Sequence, residues 1–316
     1  MESVGITYLQ LTFVIKMREA CTLPRAKASM LRGGIGDILL KKYCLKNGAC
    51  EDCSYHEDCL VQRIMYSSFA KAPSFMGENA SLGYVVFCDD YREAFGPDDE
   101  MSFDIILFGR ETAYVGVLAD AVMALAETGL SDRLNKFDLV QILGRTGHDI
   151  RESDGYLDPE ECESRLLDDY IEHRLERFEH VNAESCLKLE FKNETTLKDR
   201  KRELTEFELE PFLRALLLRI NLMRQYQLGT SEGVELWEPP EPVPVLISQE
   251  SKPMSVPRYS GRKQQKMHLK GIKGQMVLKN VSGHWLRLLL AGEILHVGKN
   301  TSFGFGKYLV KTEEDE

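Results

Sequence analysis

The stretch HVGKNTSFGFGKY, His296–Tyr308, combines glycines with lysines and is the most informative part of the sequence. Glycine has no Cβ, so it occurs where a backbone turns sharply or approaches a partner closely. A lysine beside such a turn supplies positive charge for a phosphate. The stretch predicts a glycine-rich loop that contacts phosphate, and the alternative is a tight turn before an edge strand. The residues concerned are Gly298, Lys299, Gly304, Gly306 and Lys307.

The sequence around this loop is strongly basic. From Lys252 to Lys311 the chain has twelve lysines and arginines against a single acid, Glu293, although the net charge of the whole chain is -10. Aromatic residues are interleaved with these cations, a pattern typical of RNA-binding surfaces. The alternative is the solvated face of a small domain. Besides the loop residues, the predicted RNA-binding residues are Arg258, Tyr259, Arg262, Lys263 and Lys266.

Working outward, hydrophobic periodicity predicts a similar order of elements in the two halves. The second half reads as a strand at 187–191, a helix over 213–223, an extended proline-rich loop from Pro239 to Pro257, a strand near 274–281, a helix near 283–290 and a strand at 307–310. The first half reads as a strand at 9–15, a helix from about 34 to 45, strands at 84–87 and 103–108, a helix over 114–125 and a strand at 137–143. Strand, helix, strand, strand, helix, strand is the ferredoxin-like order. The sequence therefore predicts an α+β protein with two tandem ferredoxin-like (RRM-like) domains and a C-terminal glycine-rich loop.

We place the domain boundaries by composition. Residues 1–145 form the predicted N-terminal domain, and residues 187–316 form the C-terminal RNA-binding domain. Residues 146–186 carry thirteen acids against four arginines and predict an acidic helical connector. The apolar run Leu9–Ile15 is too short to span a bilayer, so the sequence predicts a cytoplasmic protein without membrane contact.

Four cysteines lie close together in a predicted insertion at 44–59. Cys44, Cys50, Cys53 and Cys59 have the spacing C-x5-C-x2-C-x5-C. Tetrahedral thiolate sites need ligands close enough to surround one ion, and the central pair provides that spacing. We predict a structural zinc ion, and the alternatives are an iron-sulfur cluster or reduced thiols packed in a helical insertion.

Three segments, taken in chain order, resemble one known family. The loop HVGKNTSFGFGKY resembles the glycine-rich loop that ends RAMP-superfamily proteins, in particular the Cas-six family of nucleases that process precursor CRISPR RNA. RYSGRKQQKMHLKGIKG, Arg258–Gly274, resembles that family's basic segment, and LRGGIGDILLKKYC, Leu31–Cys44, resembles its first helix. The resemblance implies that the partner is the repeat of a precursor CRISPR RNA and, beyond it, other CRISPR effector subunits.

The resemblance also implies a reaction that needs no cofactor. In that family the ribose 2′-hydroxyl attacks the adjacent phosphate, which requires a general base, a general acid and positive charge. Histidine suits both proton transfers, because its unperturbed pKa is near neutrality. His296 is the leading catalytic candidate, and the alternative for it is a strand residue bonded to the backbone. Many relatives carry a catalytic histidine on or after the first helix. Here that helix has none, and the nearest is His56, with Tyr43 upstream.

Two other functions remain open from the sequence. The first is a catalytically inactive RNA-binding RAMP subunit of a CRISPR effector complex, which would share the fold, the basic region and the loop. The second is a zinc-dependent interaction protein, in which the cysteine cluster would be the functional part. Cleavage of repeat RNA in the presence of EDTA separates the enzyme from the inactive subunit. For the zinc-dependent interaction protein, removal of the metal should abolish function while the basic segment tolerates mutation.

Overall fold

The chain folds into two units, as seen in a computed structural model. One unit is formed by Tyr8–Ser164, and the other by Met1–Thr7 together with Arg165–Glu316. The chain therefore leaves the first unit within the predicted acidic connector, 146–186. The structure describes all residues except 1–2, 47, 49, 51–52, 56–58, 68, 70–80, 132–134, 153–155, 183–184, 231–233, 261–264 and 313–316.

The first unit contains an antiparallel sheet covered by helices. Its elements are β1 (Thr7–Met17), β2 (Cys21–Thr22), α1 (Ala28–Tyr43), α2 (Leu60–Met65), β3 (Tyr84–Phe87), β4 (Ala94–Phe95), β5 (Glu100–Phe108), a 3₁₀ helix (Gly109–Tyr114), α3 (Val115–Thr128) and β6 (Phe137–Leu143). The strand order is β3-β5-β1-β6, and β2 pairs with β4. Counting only the sheet strands, this is the ferredoxin-like order.

Apolar residues at every second position of β1 contribute to the hydrophobic core of this unit. Leu9, Leu11 and Phe13 are buried on the same face of the sheet, as expected where every second side chain points inward. Helices α1 and α3 cover that face and approach each other closely at Gly34. A Cβ there would lie 2.8 Å from the side chain of Leu125, so the absence of one permits the contact.

The second unit repeats this architecture. Its elements are β7 (Arg165–Leu166), α4 (Leu167–Leu175), a 3₁₀ helix (Glu176–Phe178), β8 (Leu187–Phe191), β9 (Lys198–Asp199), β10 (Arg202–Glu203), α5 (Leu209–Leu228), β11 (Val245–Ser260), β12 (Gln265–Lys279), α6 (Gly283–Leu295), a 3₁₀ helix (Thr301–Phe303) and β13 (Tyr308–Lys311). The antiparallel sheet has the order β11-β12-β8-β13. Helix α5 ends at Gly229, whose left-handed conformation is a common helix stop.

The predicted fold class is confirmed, and one predicted element is wrong. Residues 239–257 were expected to form an extended loop, but β11 runs from Val245 through Pro253 and Pro257 to Ser260. Proline cannot donate a ladder hydrogen bond, which normally excludes it from a sheet interior. Because β11 is the edge strand of the sheet, its prolines do not interrupt hydrogen bonding to a second neighbouring strand. In the part of the chain that the structure describes, no helix has the length and apolarity needed to cross a bilayer.

Candidate nucleic-acid interface

The glycine-rich loop, 296–308, links α6 to β13 and packs on the segment Asn193–Leu197. Gly306 donates from its backbone N–H to the Glu194 carbonyl at 2.9 Å, and Lys299 donates to the Thr196 carbonyl at 2.9 Å. The side-chain amide of Asn193 donates to the Gly304 carbonyl. The loop is thus held by hydrogen bonds to a segment about a hundred residues earlier in the chain.

The predicted loop glycines lie where a side chain would collide with backbone. Gly298 has φ +86°, and a Cβ there would lie 2.4 Å from the Thr196 carbonyl oxygen. Gly306 has φ +84°, and a Cβ would lie 2.0 Å from the Val297 carbonyl oxygen. Gly304 also has a left-handed φ, +84°. These glycines are required by the fold of the loop itself, and an RNA contact through them stays a prediction.

His296 is fully buried, directly after the last residue of α6. Its Nδ1 donates to the Phe305 carbonyl at 3.0 Å, so the ring crosses the base of the loop. Burial lowers the pKa of His296 well below the usual range, and the charge of Lys307 lowers it further. The bond to the backbone agrees with the alternative that the sequence left open, but His296 follows helix α6 and does not lie in a strand. A role in proton transfer stays a prediction for His296.

Cations gather at the C-terminal end of α6, where helix carbonyls carry partial negative charge. Lys307 Nζ donates to the Glu293 carbonyl at 2.7 Å, and Arg219 Nε donates to the Leu295 carbonyl at 3.1 Å. The Glu293 carboxylate is buried and forms a bidentate ion pair with Arg174, with both N–O distances 3.0 Å. The ammonium of Lys307 is bound to the helix end in this structure, and its predicted RNA contact stays a prediction. Sequence reasoning missed both arginines, since Arg174 lies in the predicted acidic connector and Arg219 lies between apolar residues of α5.

The basic segment forms a long antiparallel hairpin. We call residues 251–260 and 265–274 the hairpin arm, in which Ser251 pairs with Gly274 and Ser260 with Gln265. Arg258 lies in this arm, and its guanidinium carbon is 4.2 Å from the Phe303 ring centre in the glycine-rich loop. The structure therefore brings together two segments that the sequence singled out separately.

The predicted RNA-binding residues differ in what the structure shows of them. Lys266 and Lys299 are exposed, whereas Arg258 is half-buried against Phe303. The backbone of Tyr259 pairs with Lys266. The Tyr259 side chain and the predicted contacts Arg262 and Lys263 lie outside the described residues.

Tyr43 and His56 were the other catalytic candidates. Tyr43 is the last residue of α1 and is 37% exposed, with Lys41 and Lys42 in the same helical turn. His56 lies outside the described residues. The structure describes two of the catalytic candidates, His296 and Tyr43. Of these two, only Tyr43 has an exposed side chain that could reach RNA.

The four clustered cysteines lie between α1 and α2, and all four are half-buried. Cys44 Sγ accepts a hydrogen bond from the Gly48 N–H at 3.2 Å, and the Cys53 N–H donates to the Cys50 carbonyl at 3.3 Å. Among the described residues, no three His, Cys, Asp or Glu side chains are grouped as ligands of one ion. Cysteine thiolates are suitable zinc ligands, but bringing Cys44, Cys50, Cys53 and Cys59 onto one ion requires them to converge. The zinc ion stays a prediction.

The chain has two tandem ferredoxin-like units, and the second unit carries a basic hairpin and a glycine-rich loop. These are the features of RNA-binding proteins of the RAMP type. Residues 189–308 match the family model of CRISPR-associated endoribonuclease Cas6, and residues 6–161 match a model described as an N-terminal domain. Residues 189–308 thus form a domain of the Cas6 family. The Cas-six resemblance inferred from three short segments is confirmed. Among curated proteins, none matches the chain.

Solved structures share this fold at low sequence identity. A partial Cas6-RT-Cas1–Cas2 complex contains a chain with TM-score 0.60 and 10% identity, and the match covers 98% of the present chain but 46% of that chain. In a further Cas6-RT-Cas1–Cas2 complex the match covers 29% of the other chain. The present chain thus spans less than half of these relatives. A Cas6 product complex has TM-score 0.50 and 16% identity, with 97% of the present chain and 100% of that chain covered.

Proposed function

We propose that this protein cleaves precursor CRISPR RNA within the repeats and so produces guide RNAs. The observation that carries the proposal is the exposed basic hairpin arm, attached through Arg258 and Phe303 to the glycine-rich loop. Both segments lie within the residues that match the Cas6 family model. A surface that neutralises phosphates next to a rigid loop suits an RNA with defined structure.

We propose a metal-independent reaction in which the 2′-hydroxyl attacks the adjacent phosphate. The new O–P bond forms as the bond to the leaving 5′-oxygen breaks, which leaves a cyclic phosphate and a free 5′-hydroxyl. A base removes the 2′-hydroxyl proton, and an acid protonates the leaving oxygen. We assign these steps to the end of α1 and the residues after it, where Tyr43 is exposed and His56 follows in the sequence. Lys41 and Lys42 would supply positive charge to the transition state.

The proposed partners are a CRISPR repeat RNA and other CRISPR proteins. Chains in two structurally similar assemblies are titled as complexes with Cas1 and Cas2, which makes such an assembly a reasonable partner to test. The proposed location is the cytoplasm, where the precursor transcript is made. The proposed structural zinc ion would join the segments on either side of Cys50 and Cys53 and take no part in the reaction.

A second candidate is an inactive RNA-binding subunit. The observation in its favour is that His296 is buried and that α1 contains no histidine. Such a protein would bind the repeat and leave it intact.

Incubation of end-labelled repeat RNA with the protein, with and without EDTA, tests the proposal. We expect one cleavage site per repeat in both conditions, with a cyclic phosphate on the upstream product. Replacement of Arg258, Arg262, Lys263 and Lys266 with alanine should weaken binding and flatten its salt dependence. Tight binding without cleavage would support the inactive subunit. Cleavage that EDTA abolishes would contradict the metal-independent mechanism.

A further inference from the structure

An apolar pocket lies between α5 and α6 in the second unit. Its floor is one side of α5, with Leu213 and Leu217, and its walls are Trp285 of α6 and the proline-rich segment 235–244, which we call the strap. The pocket has a volume of about 550 Å³. None of the described residues assigned above to RNA binding or catalysis lines it, so the proposed reaction leaves the pocket unexplained.

Hydrogen bonds fix the strap against the two helices. The Asn221 side chain accepts from the Trp237 N–H at 2.8 Å and donates to the Trp237 carbonyl at 3.0 Å. Trp285 Nε1 donates to the Pro240 carbonyl at 2.9 Å, and the Arg224 guanidinium carbon is 4.1 Å from the Trp237 ring centre. The strap contains four prolines, whose rings fix φ and stiffen the wall. The pocket is therefore preformed, which lowers the entropic cost of binding.

The mouth of the pocket has exposed apolar side chains. Leu218 is 37% exposed and Val243 is 43% exposed, and both line the pocket. Apolar surface beside a preformed cavity is typical of a site that receives a large side chain from a partner protein.

The rim of the pocket is acidic. The lining residue Arg214 is 2.6 Å from the carboxylate of Asp199 and 3.5 Å from that of Glu210, so two acids more than balance its charge. The strap contains no lysine or arginine. It carries three exposed acids, Glu235, Glu238 and Glu241. A negative rim repels RNA phosphates and attracts a cationic polypeptide.

We propose that this pocket binds a basic amphipathic helix of a partner protein. The helix inserts large apolar side chains between α5 and the strap and places lysines or arginines against the acidic rim. Leu209, Leu213 and Leu217 form an i, i+4 row along α5, and such a row packs against the groove of a second helix. The pocket shares no described residue with the proposed RNA contact, so the proposal stands apart from RNA cleavage.

Two synthetic peptides and two variants test the proposal. One peptide is a helix with leucine at every third or fourth position and lysine elsewhere, and the other has glutamate in place of each lysine. Both tryptophans of the chain lie in the pocket wall or the strap, so their fluorescence reports occupancy of the full-length protein. We expect the lysine peptide to bind at least roughly tenfold more tightly than the glutamate peptide, with an advantage that high salt reduces.

Leu218→Arg places a cation at the mouth of the pocket and should weaken binding of the lysine peptide by roughly tenfold or more. Leu228→Arg is the matched control, because Leu228 is a 64% exposed leucine at the end of the same helix and does not line the pocket. It should bind the peptide within about twofold of wild type, as expected for a surface change away from the contact. Circular dichroism and melting curves of both variants confirm that the fold is retained.

Several results would overturn the proposal. Equal affinities for the two peptides, or equal affinities of the two variants, would remove the acidic apolar pocket as a helix site. Displacement of the peptide by repeat RNA would assign the pocket to the RNA surface. A wild-type dimer that Leu218→Arg converts into a monomer in sedimentation would identify a second copy as the occupant, and binding of the apolar dye ANS without peptide binding would identify a small-molecule site. RNA affinity and cleavage should be the same in Leu218→Arg as in wild type, so a failure here is distinguishable from a failure of the proposed function.

Discussion

The Arg258 guanidinium carbon lies 4.2 Å from the centre of the Phe303 ring, and this contact joins the hairpin arm to the glycine-rich loop. A cation over an aromatic face is attracted by the negative charge of that face, typically by about 0.5–1 kcal/mol at partly exposed sites. The contact therefore couples two segments that are separated by more than forty residues of sequence. Its disruption should affect both stability and RNA binding.

A double-mutant cycle on Arg258→Ala and Phe303→Ala measures this coupling. We expect the two losses in the free energy of unfolding to be non-additive by about 0.5–1 kcal/mol. Arg258→Lys retains the charge but places a more strongly hydrated ammonium over the ring, so it should recover RNA affinity better than stability. Additive losses would show that the stacking contributes nothing measurable.

The glycine-rich loop gives the second prediction. Gly306→Ala should destabilise the protein by at least about 2 kcal/mol, because a Cβ would lie 2.0 Å from the Val297 carbonyl oxygen at a left-handed φ. Gly283→Ala in α6 is the matched control, since a Cβ there meets nothing within 4 Å. It should change stability by less than about 1 kcal/mol. Urea unfolding measures both, and similar stabilities of the two variants would contradict the steric role of Gly306.

The sequence predicted those structural features that depend on neighbouring residues better than those that depend on distant contacts. The alternation in β8, Leu187–Phe191, placed that strand correctly, because every second residue is apolar. The apolar-rich segment predicted as a strand at 137–143 is β6, Phe137–Leu143. The hairpin was missed because Pro253 and Pro257 argue against a strand until its position at the sheet edge is known. Alternation of Lys266, His268 and Lys270 was a local signal that could have revealed it.

The candidate site was less predictable than the fold. The glycine-rich loop contacts Asn193–Leu197, which is distant in sequence. No local sequence pattern predicts this contact. The burial of His296 follows from that contact, because the loop closes over the ring. The sequence identified His296 as a catalytic candidate by its position, but it could not show that the side chain is buried.

His296 gives a pH dependence of stability. Its pKa is lowered well below the usual range in the folded state, so the unfolded chain binds the proton more readily. Stability from this group is fully present above about pH 6.5 and falls as the pH decreases, by up to about 1.4 kcal/mol per unit until the folded pKa is reached. His296→Gln should remove this part of the slope between pH 6.5 and 5. An unchanged slope in urea titrations would show that His296 does not cause it.

The cysteines give a prediction about metal content. If Cys44, Cys50, Cys53 and Cys59 converge on an ion, freshly purified protein should contain about one zinc per chain. Cys53→Ser should then lower both the metal content and the melting temperature, whereas Cys186→Ser should leave the metal content unchanged. Elemental analysis that finds neither zinc nor iron in unstripped protein would remove the metal site.

The last prediction concerns the catalytic groups. We expect Tyr43→Phe to slow cleavage by roughly 100-fold to 10,000-fold, the range typical of losing a general acid or base, with little change in RNA affinity. His56→Ala tests the position after the first helix in the same assay. His296→Ala should mainly lower stability, because its ring is buried and bonded to the Phe305 carbonyl.

Single-turnover rates at saturating protein, with affinity measured separately, distinguish lost chemistry from lost binding. If His296→Ala abolishes cleavage in a folded protein that binds RNA normally, the loop must open to expose the ring, and the reaction belongs to the glycine-rich loop. If Tyr43→Phe and His56→Ala both cleave at the wild-type rate, the end of α1 is not the reaction site. A slow Tyr43→Phe variant with unchanged affinity assigns a proton transfer to this hydroxyl, since phenylalanine retains the ring and removes only the O–H.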